Sequence, residues 1–220
     1  MKEWIIKKIR DLEYHLFDFD GVVNDSIYPV YLANNEMIQV RGLNPISFEE
    51  WKKHTQGTPA QFFEAYLDIS YNDEERNLVN QEFSKTYAEV KANNPPKIYP
   101  FAFDALIKFS DKPMIIVSSS PEQELQDRVD EYNIRDMFDL GVFGEVYDKT
   151  GFIKEFLKEN NVKRELAVII GDSTKDIYAG QQNGIEQIAV SCGIQDEVRL
   201  KESNPSLGVF KDIKYLADLL

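Results

Sequence analysis

Cysteine and histidine are both scarce in this 220-residue chain. The single cysteine, Cys192, excludes an intramolecular disulfide and suits a reducing compartment. It ends an apolar run, where we expect a small buried side chain rather than a nucleophile. His15 lies inside another apolar run and is expected to pack in a sheet. His54 is expected on the surface, although a loop at that position could also reach a substrate.

Positive charge and long hydrophobic runs are also limited. The chain has 38 acidic and 25 basic side chains and a net charge of -13, which argues against nucleic acid or an anionic membrane surface as a partner. No stretch approaches the roughly 20 apolar residues of a membrane span. The apolar run within residues 1–13 is too short for a signal peptide. These absences predict a cytoplasmic protein without nucleic-acid or membrane partners, and they leave its oligomeric state open.

Apolar runs alternate with helical periodicity over much of the chain. Near the start, Ile5, Ile9 and Leu12 recur at helical spacing and predict a short amphipathic helix that packs on the core. Beyond residue 96 the order is strand, helix, strand, helix, which is typical of a parallel sheet covered on both faces. The expected strands are 14–19, 113–118, 140–143, 166–171 and 186–191, and the expected helices are 121–133, 150–160, 174–183 and 213–220. We therefore predict an α/β fold with a doubly wound parallel sheet.

Residues 22–95 contain helical patterns without strand alternation, with helices expected at 26–41, 47–54, 59–69 and 73–92. Ser47 and Glu50 have the spacing of a capping box, and Thr58 and Asn72 are N-cap candidates for the next two helices. The sequence thus predicts an all-helical insertion after the first strand. The expected domains are a core, 1–24 with 96–220, and a helical domain, 25–95.

Two carboxylates follow the first apolar run. Asp18 and Asp20 are two residues apart, so in a strand they would share one face and converge on one spot. Two such acids are costly to bury unless a metal ion or hydrogen bonds compensate them. One could act as nucleophile and metal ligand while the other exchanges protons with a leaving group. The alternative is a strand that ends in an acidic turn at Gly21.

Polar residues also follow the other expected strands. Ser118 could donate its hydroxyl to an anion near the next helix start, where Ser120 is expected as the N-cap. Asp172 suits a hard cation, which prefers oxygen ligands. Asp176 either interacts favourably with the helix dipole or takes part in a metal site. Lys149 is either solvated and incidental or balances negative charge in the site. Ligands bind outside the carboxyl ends of the strands in such sheets, so these groups are expected at one site.

Together these segments resemble the four motifs of the haloacid dehalogenase-like hydrolase superfamily. The order and spacing match, and the resemblance spans essentially the whole chain. It points to the phosphatase branch with a helical cap, which includes phosphoglycolate phosphatases. The segments that carry it are 17–23 with Asp25 and Ser26, Ser118, Lys149, and 171–176. Lys154 is a poorer candidate than Lys149 for the third motif.

The resemblance implies a Mg²⁺-dependent phosphomonoester hydrolase. Asp18 would attack phosphorus and become an aspartyl phosphate. Asp20 would protonate the leaving oxygen and then take a proton from the hydrolytic water. Mg²⁺ would be held by Asp18, the backbone carbonyl of Asp20, and Asp172.

The resemblance also implies a phosphoryl-binding set. Ser118 and Lys149 would neutralise phosphoryl oxygens, and Ser119 and Gly21 would also contact the substrate. Asp176 would orient Lys149 or a metal-bound water.

Other readings of the fold are less favoured. Dehalogenase and phosphonatase members lack an acid at the position of Asp20. A sugar-phosphate mutase uses a histidine in the linker beyond that acid, and the corresponding residues 28–31 contain none. A catalytically silent binding protein is a further alternative, and the presence of every motif residue argues against it.

The substrate is expected to be a small phosphorylated metabolite, because a closing cap must fit over it. Phosphoglycolate, a sugar phosphate and a nucleotide monophosphate remain open. Aromatic side chains of the cap could form a base-stacking surface, although at helical spacing they more often form a cap's own core. They are Tyr31, Trp51, Phe62, Phe63 and Tyr66.

Overall fold

The computed structural model describes residues 3–55 and 58–220 and builds them around a central six-stranded sheet. The helices are α1 (Glu3–Asp11), α2 (Ile27–Val40), α3 (Phe48–His54), α4 (Pro59–Leu67), α5 (Asp73–Asn93), α6 (Ala102–Phe109), α7 (Glu122–Glu131), α8 (Lys149–Glu159), α9 (Thr174–Asn183), α10 (Glu197–Glu202) and α11 (Ile213–Ala217). The strands are β1 (Tyr14–Phe17), β2 (Asn24–Asp25), β3 (Lys97–Ile98), β4 (Met114–Val117), β5 (Val142–Phe143), β6 (Ala167–Gly171), β7 (Glu186–Val190) and β8 (Gly208–Phe210). Within the described part of the chain, no helix combines the length and the apolar character that crossing a membrane requires.

β1 lies in the middle of the large sheet. The strand order is β5-β4-β1-β6-β7-β8, and every neighbouring pair is parallel. Leu16 pairs in register with Ile115 and Ile169, and these three side chains pack into one apolar layer. The adjacent Phe17 packs into the layer on the opposite face. Both faces of β1 are covered, which explains why both Leu16 and Phe17 are apolar, and the predicted doubly wound α/β fold is confirmed.

The amphipathic helix expected near the start of the chain is α1. Ile9 and Leu12 are buried in the same apolar layer as Phe17, and Ile5 packs against that layer. This prediction is confirmed.

Helices α2 to α5 form a helical cap with an apolar centre of its own. Trp51, Phe62 and Phe63 are buried in that centre, and Tyr31 and Tyr66 pack against it. The aromatic residues therefore stabilise the cap from within instead of forming a stacking surface.

The cap helices begin at residues that bind their free N–H groups. Thr58 and Asn72 each form a complete capping box at the start of α4 and α5. Ser47 accepts the N–H of Glu50 at 3.2 Å, but the Glu50 carboxylate turns to Lys53 at 2.8 Å and does not return to Ser47. The capping box expected there is only half formed, because a basic residue in α3 competes for the carboxylate. The sequence also predicts a turn over 56–59, and residues 56 and 57 lie outside the described residues.

The inserted segment is not wholly helical. β2 and β3 form a short antiparallel ribbon at the base of the cap, in which Asn24 lies beside Ile98. The sequence patterns did not predict this ribbon, α6, α10 or the three-residue strand β8. Strands of two or three residues carry no periodicity, but α6 could have been found, because its buried residues recur at helical spacing. β1 ends at Phe17 and not at Phe19, because the Phe19 carbonyl accepts the N–H groups of Val23 and Asn24 in a tight turn.

Candidate active site

The carboxyl ends of three adjacent strands meet beneath the cap, and a polar residue follows each of them. Asp18 follows β1, Ser118 follows β4, and Asp172 follows β6. α8 begins at Lys149, and Asp176 lies in the first turn of α9 at the same edge of the sheet. The order β4-β1-β6 therefore brings together groups that are far apart in the sequence.

Lys149 lies between two carboxylates. Its Nζ is 3.0 Å from Asp18 Oδ1 and 2.6 Å from Asp176 Oδ1. Burial alone would lower the pKa of this ammonium group, but the charges of Asp176 and Asp18 outweigh burial and raise the pKa. Lys149 therefore stays charged. Lys154, the poorer candidate for this role, is exposed on α8.

Asp18 and Asp172 are both difficult to ionise in the protein without a metal ion. Burial raises the pKa of Asp18 to about 7, in spite of the opposing charge of Lys149. Burial, followed by the charges of Asp18 and Asp176, raises the pKa of Asp172 well above its usual range. A further positive charge would favour the ionised forms of both carboxyl groups.

The carboxylates fit a hard divalent cation. Oxygens of Asp18, Asp172 and Asp176 lie within 4.8 Å of one another. Asp176 is already engaged, because Oδ1 pairs with Lys149 and Oδ2 accepts both the hydroxyl and the N–H of Ser173. Among the described residues, Asp18 Oδ2 and Asp172 Oδ1 accept no hydrogen bond. Open carboxylate oxygens are the ligands that Mg²⁺ prefers, so Asp18 and Asp172 could hold it.

Asp20 has a different environment. Its Oδ1 accepts the Nδ2 of Asn24 at 2.8 Å, and its Oδ2 accepts the hydroxyl of Ser120. Both side-chain oxygens of Asp20 are therefore engaged in hydrogen bonds within the protein. The N-cap role expected of Ser120 is wrong, because its hydroxyl turns to Asp20 and α7 begins without a side-chain cap.

Ser118 and Ser119 are placed differently. Ser118 is buried, and its Oγ accepts the N–H of Ser120 at 3.1 Å. Ser119 is exposed and lines the same cavity as Asp18. Ser119 is therefore the more accessible of the two predicted substrate-binding serines, and Ser118 shapes the turn beneath it.

Two glycines enclose the Asp172 carboxylate. Gly21 has a φ of +77°, and a Cβ there would lie 2.0 Å from Asp172 Oδ2. A Cβ on Gly193 would lie 1.9 Å from the same oxygen. Ile194 donates its N–H to that oxygen at 2.6 Å. Only glycine fits either position, so Gly21 shapes the site through its backbone.

Cys192 and His54 are the two other side chains considered as reactive in the sequence. The thiol of Cys192 packs 3.2 Å from the Gly21 carbonyl, and burial raises its pKa to about 12. The thiol stays protonated at neutral pH, as expected of a packed residue. His54 pairs with Glu50 at 3.1 Å and stacks its ring edge-on to Tyr66.

Several residues of the site were missed in the sequence. Asn24, Ser120 and Ile194 hold the predicted acids in place. Ser120 and Ile194 reach Asp20 and Asp172 from distant loops, so no local pattern indicates them. Asn24 lies only four residues from Asp20, but the contact depends on the tight turn between them. Ser173 could have been found, because it precedes Asp176 by three residues and this spacing is typical of a helix start.

A cavity of about 590 Å³ lies between the cap and the strand ends. Its core wall includes Asp18, Asp20 and Ser119, and its cap wall includes Tyr87 and Lys91 of α5. A small molecule in this cavity would contact both the acidic group and the cap.

Comparison with known proteins identifies the family. Residues 15–190 match the family model of the haloacid dehalogenase-like hydrolases. The chain belongs to this family. The predictions of the family and of a hydrolase are confirmed.

Relatives and solved structures agree with this assignment. The chain is 28% identical over 175 residues to a phosphoglycolate phosphatase of Aquifex aeolicus, covering 77% of this chain and 80% of that protein. It is 25% identical over 187 residues to a phosphorylated carbohydrates phosphatase of Thermotoga maritima, covering 80% and 84%. A haloacid dehalogenase-like hydrolase of Streptococcus pneumoniae has the same fold, with a TM-score of 0.74, 20% identity, and coverage of 96% of this chain and 100% of that one.

Proposed function

We propose that the chain is a Mg²⁺-dependent phosphomonoester hydrolase that forms an aspartyl phosphate on Asp18. The observation that carries the proposal is the buried group of Lys149 with Asp18, Asp172 and Asp176 beneath the cap cavity. This group combines a carboxylate nucleophile, open oxygen ligands and an ammonium group. Phosphoryl transfer needs positioning and charge neutralisation of this kind.

The residues of this group divide the proposed reaction among them. Asp18 attacks phosphorus, and Asp20 gives its proton to the leaving oxygen and later takes one from water. Lys149 orients Asp18 and neutralises a phosphoryl oxygen, while Asp176 fixes Lys149. Mg²⁺, when bound by Asp18, Asp172 and the backbone carbonyl of Asp20, would supply Lewis-acid stabilisation of the phosphoryl group.

Neutral groups complete the proposed phosphoryl-binding surface beside Lys149. Ser119 contacts the phosphoryl group from the exposed side of the loop after β4, and Ser118 supports that loop from below. Gly21 allows the close approach of backbone to Asp172 that this packing requires.

The proposed substrate is a small phosphorylated metabolite. A cavity of about 590 Å³ closed by the cap suits a molecule of this size. The two relatives described above are named for phosphoglycolate and for phosphorylated carbohydrates, and both belong to this class. A cytoplasmic location stays a prediction.

The alternatives have less support. Among the described residues that line the cavity there is no histidine, which a sugar-phosphate mutase would need. A silent binding protein would not need Lys149 between Asp18 and Asp176, with Oδ2 of Asp18 left without a hydrogen bond from the described residues.

The proposal is tested by measuring phosphate release from a panel of phosphorylated metabolites with Mg²⁺ and with EDTA. We expect turnover that requires the metal and is lost in Asp18→Asn. Asp111→Asn is the matched control, because Asp111 is exposed and remote from the site, and it should keep wild-type activity. Metal-independent turnover, or unchanged turnover in Asp18→Asn, would contradict the proposal, and no turnover of any compound would favour the binding protein.

A further inference from the structure

The carboxyl group of Asp20 is held by two side chains to which the proposed reaction assigns no step. Asn24 donates its Nδ2 to Asp20 Oδ1 at 2.8 Å, and Ser120 donates its hydroxyl to Asp20 Oδ2. Each carboxyl oxygen therefore has its own donor, and rotation of the group is restricted. Asn24 is 3% exposed, so water does not compete for this contact.

Asn24 is in turn fixed by Tyr132, which follows α7. The Tyr132 hydroxyl lies 2.8 Å from Asn24 Oδ1 and 3.1 Å from the Pro96 carbonyl. Asp20 Oδ1 accepts the Nδ2 group of Asn24, which leaves Asn24 Oδ1 facing the phenol. The phenol has a single hydrogen, which the two carbonyl oxygens share. The ring of Tyr132 stacks on Phe19, with 6.4 Å between ring centroids.

The same hydroxyl contacts both connections between the core and the cap. Asn24 lies in β2, on the way into the cap, and Pro96 immediately precedes β3, on the way out. Asn24 and Ile98 pair across the ribbon that these strands form. A shift of the ribbon would therefore move the amide that orients Asp20.

We propose that Asn24 is a positioning residue for Asp20, which holds the carboxyl in line with the leaving oxygen and couples that orientation to the ribbon at the base of the cap. The inference rests on the proposed function, in which Asp20 is the general acid. As the bond from Asp18 to phosphorus forms and the bond to the leaving oxygen breaks, the Asp20 proton passes to that oxygen. Misplacing the carboxyl slows this transfer without removing the acid.

The test compares two leaving groups in the full-length protein with Mg²⁺. The p-nitrophenolate group of p-nitrophenyl phosphate leaves without a proton, whereas an alkoxide leaving group needs one. The ratio kcat/KM includes only the steps up to the departure of the leaving group, so it reports on this proton transfer. We expect Asn24→Leu to lower kcat/KM by roughly 10- to 100-fold for the alkyl phosphate that the wild type hydrolyses fastest, and by less than about 3-fold for p-nitrophenyl phosphate. Tyr132→Phe keeps the stacked ring and should also lower kcat/KM more for the alkyl phosphate than for p-nitrophenyl phosphate, by a smaller factor. This variant tests the inference even if Asn24→Leu does not fold.

The matched control is Asn34→Leu. Asn34 is also 3% exposed, but its amide donates within α2 to the Val30 carbonyl at 3.0 Å and does not contact the site. This variant should leave the ratio of the two kcat/KM values unchanged. Equal losses for both substrates in Asn24→Leu, or the same selectivity in Asn34→Leu, would overturn the inference.

Asp20→Asn separates this inference from the proposed function. If Asp20→Asn is selective for the leaving group while Asn24→Leu and Tyr132→Phe are not, the inference fails and the acid role stands. If Asp20→Asn is itself not selective, the acid role assigned under the proposed function fails.

Discussion

Replacing His15 by phenylalanine is expected to remove an acid sensitivity from the folded protein. His15 is 1% exposed in the middle of β1, and its ring lies against Phe109 with 5.3 Å between ring centroids. Neither ring nitrogen has a hydrogen-bond partner among the described residues. Burial, followed by the charge of Lys112, lowers the pKa of His15 from its ordinary 6.5 to about 3.

The size of the effect follows from proton linkage. Above pH 6.5 the imidazole is neutral in both states, and its burial carries no penalty from ionisation. As the pH falls below that value, the unfolded chain binds a proton that the folded protein does not bind until about pH 3. Each pH unit in this window removes about 1.4 kcal/mol, so His15 should cost about 2 kcal/mol between pH 7.5 and pH 5.

The assay is urea unfolding of the wild type and His15→Phe at these two pH values. Carboxyl groups are the same in both proteins and cancel in the difference, as does any constant cost of fitting the larger ring. Val40→Thr is the control, because Val40 is exposed and not titratable, and it should keep the wild-type difference. A pH dependence that is the same in wild type and His15→Phe would refute the reasoning.

Two further variants test the site. Gly21→Ala should cost about 2 kcal/mol or more and abolish metal-dependent activity, because the new Cβ meets Asp172 Oδ2 at 2.0 Å. Gly42→Ala is its control, since Gly42 has a similar φ of +75° but a Cβ there would meet no atom within 4 Å. This variant should lower the free energy of unfolding by about 1 kcal/mol and keep full activity. Equal losses of activity in the two variants would argue against the contact between Cβ and Asp172. Lys149→Met leaves the carboxylate of Asp176 buried without its cation and should lower the free energy of unfolding by about 3 kcal/mol in urea titrations without metal. A loss below about 1 kcal/mol would show that the ion pair contributes little.

The sheet and the predicted acids could be found in the sequence because each is encoded locally. Fully buried parallel strands such as β6 appear as unbroken apolar runs, and a carboxylate directly after such a run stands out. Asp18 and Asp172 were found in this way.

Contacts between distant segments could not be found. Tyr132 bonds Asn24 from 108 positions away, and Ser120 reaches Asp20 from 100 positions away. For Ser120 the local pattern favoured a helix cap, but its hydroxyl donates to the carboxyl group of Asp20 instead, and a charged acceptor forms the stronger hydrogen bond. Short elements such as β8 are likewise set by the edge of the sheet on which they pair and not by their own sequence.

The most direct test of the account is the mass of the protein after reaction with substrate and acid quenching. With p-nitrophenyl phosphate, Asp20→Asn should slow the transfer of the phosphoryl group to Asp18 less than it slows hydrolysis of the aspartyl phosphate. One phosphoryl group should therefore accumulate on the chain in the presence of Mg²⁺. Peptide mapping should place that group on Asp18, and the double variant with Asp18→Asn should carry none. Turnover of substrate without any phosphorylated protein, or a phosphoryl group on another residue, would contradict Asp18 as the nucleophile.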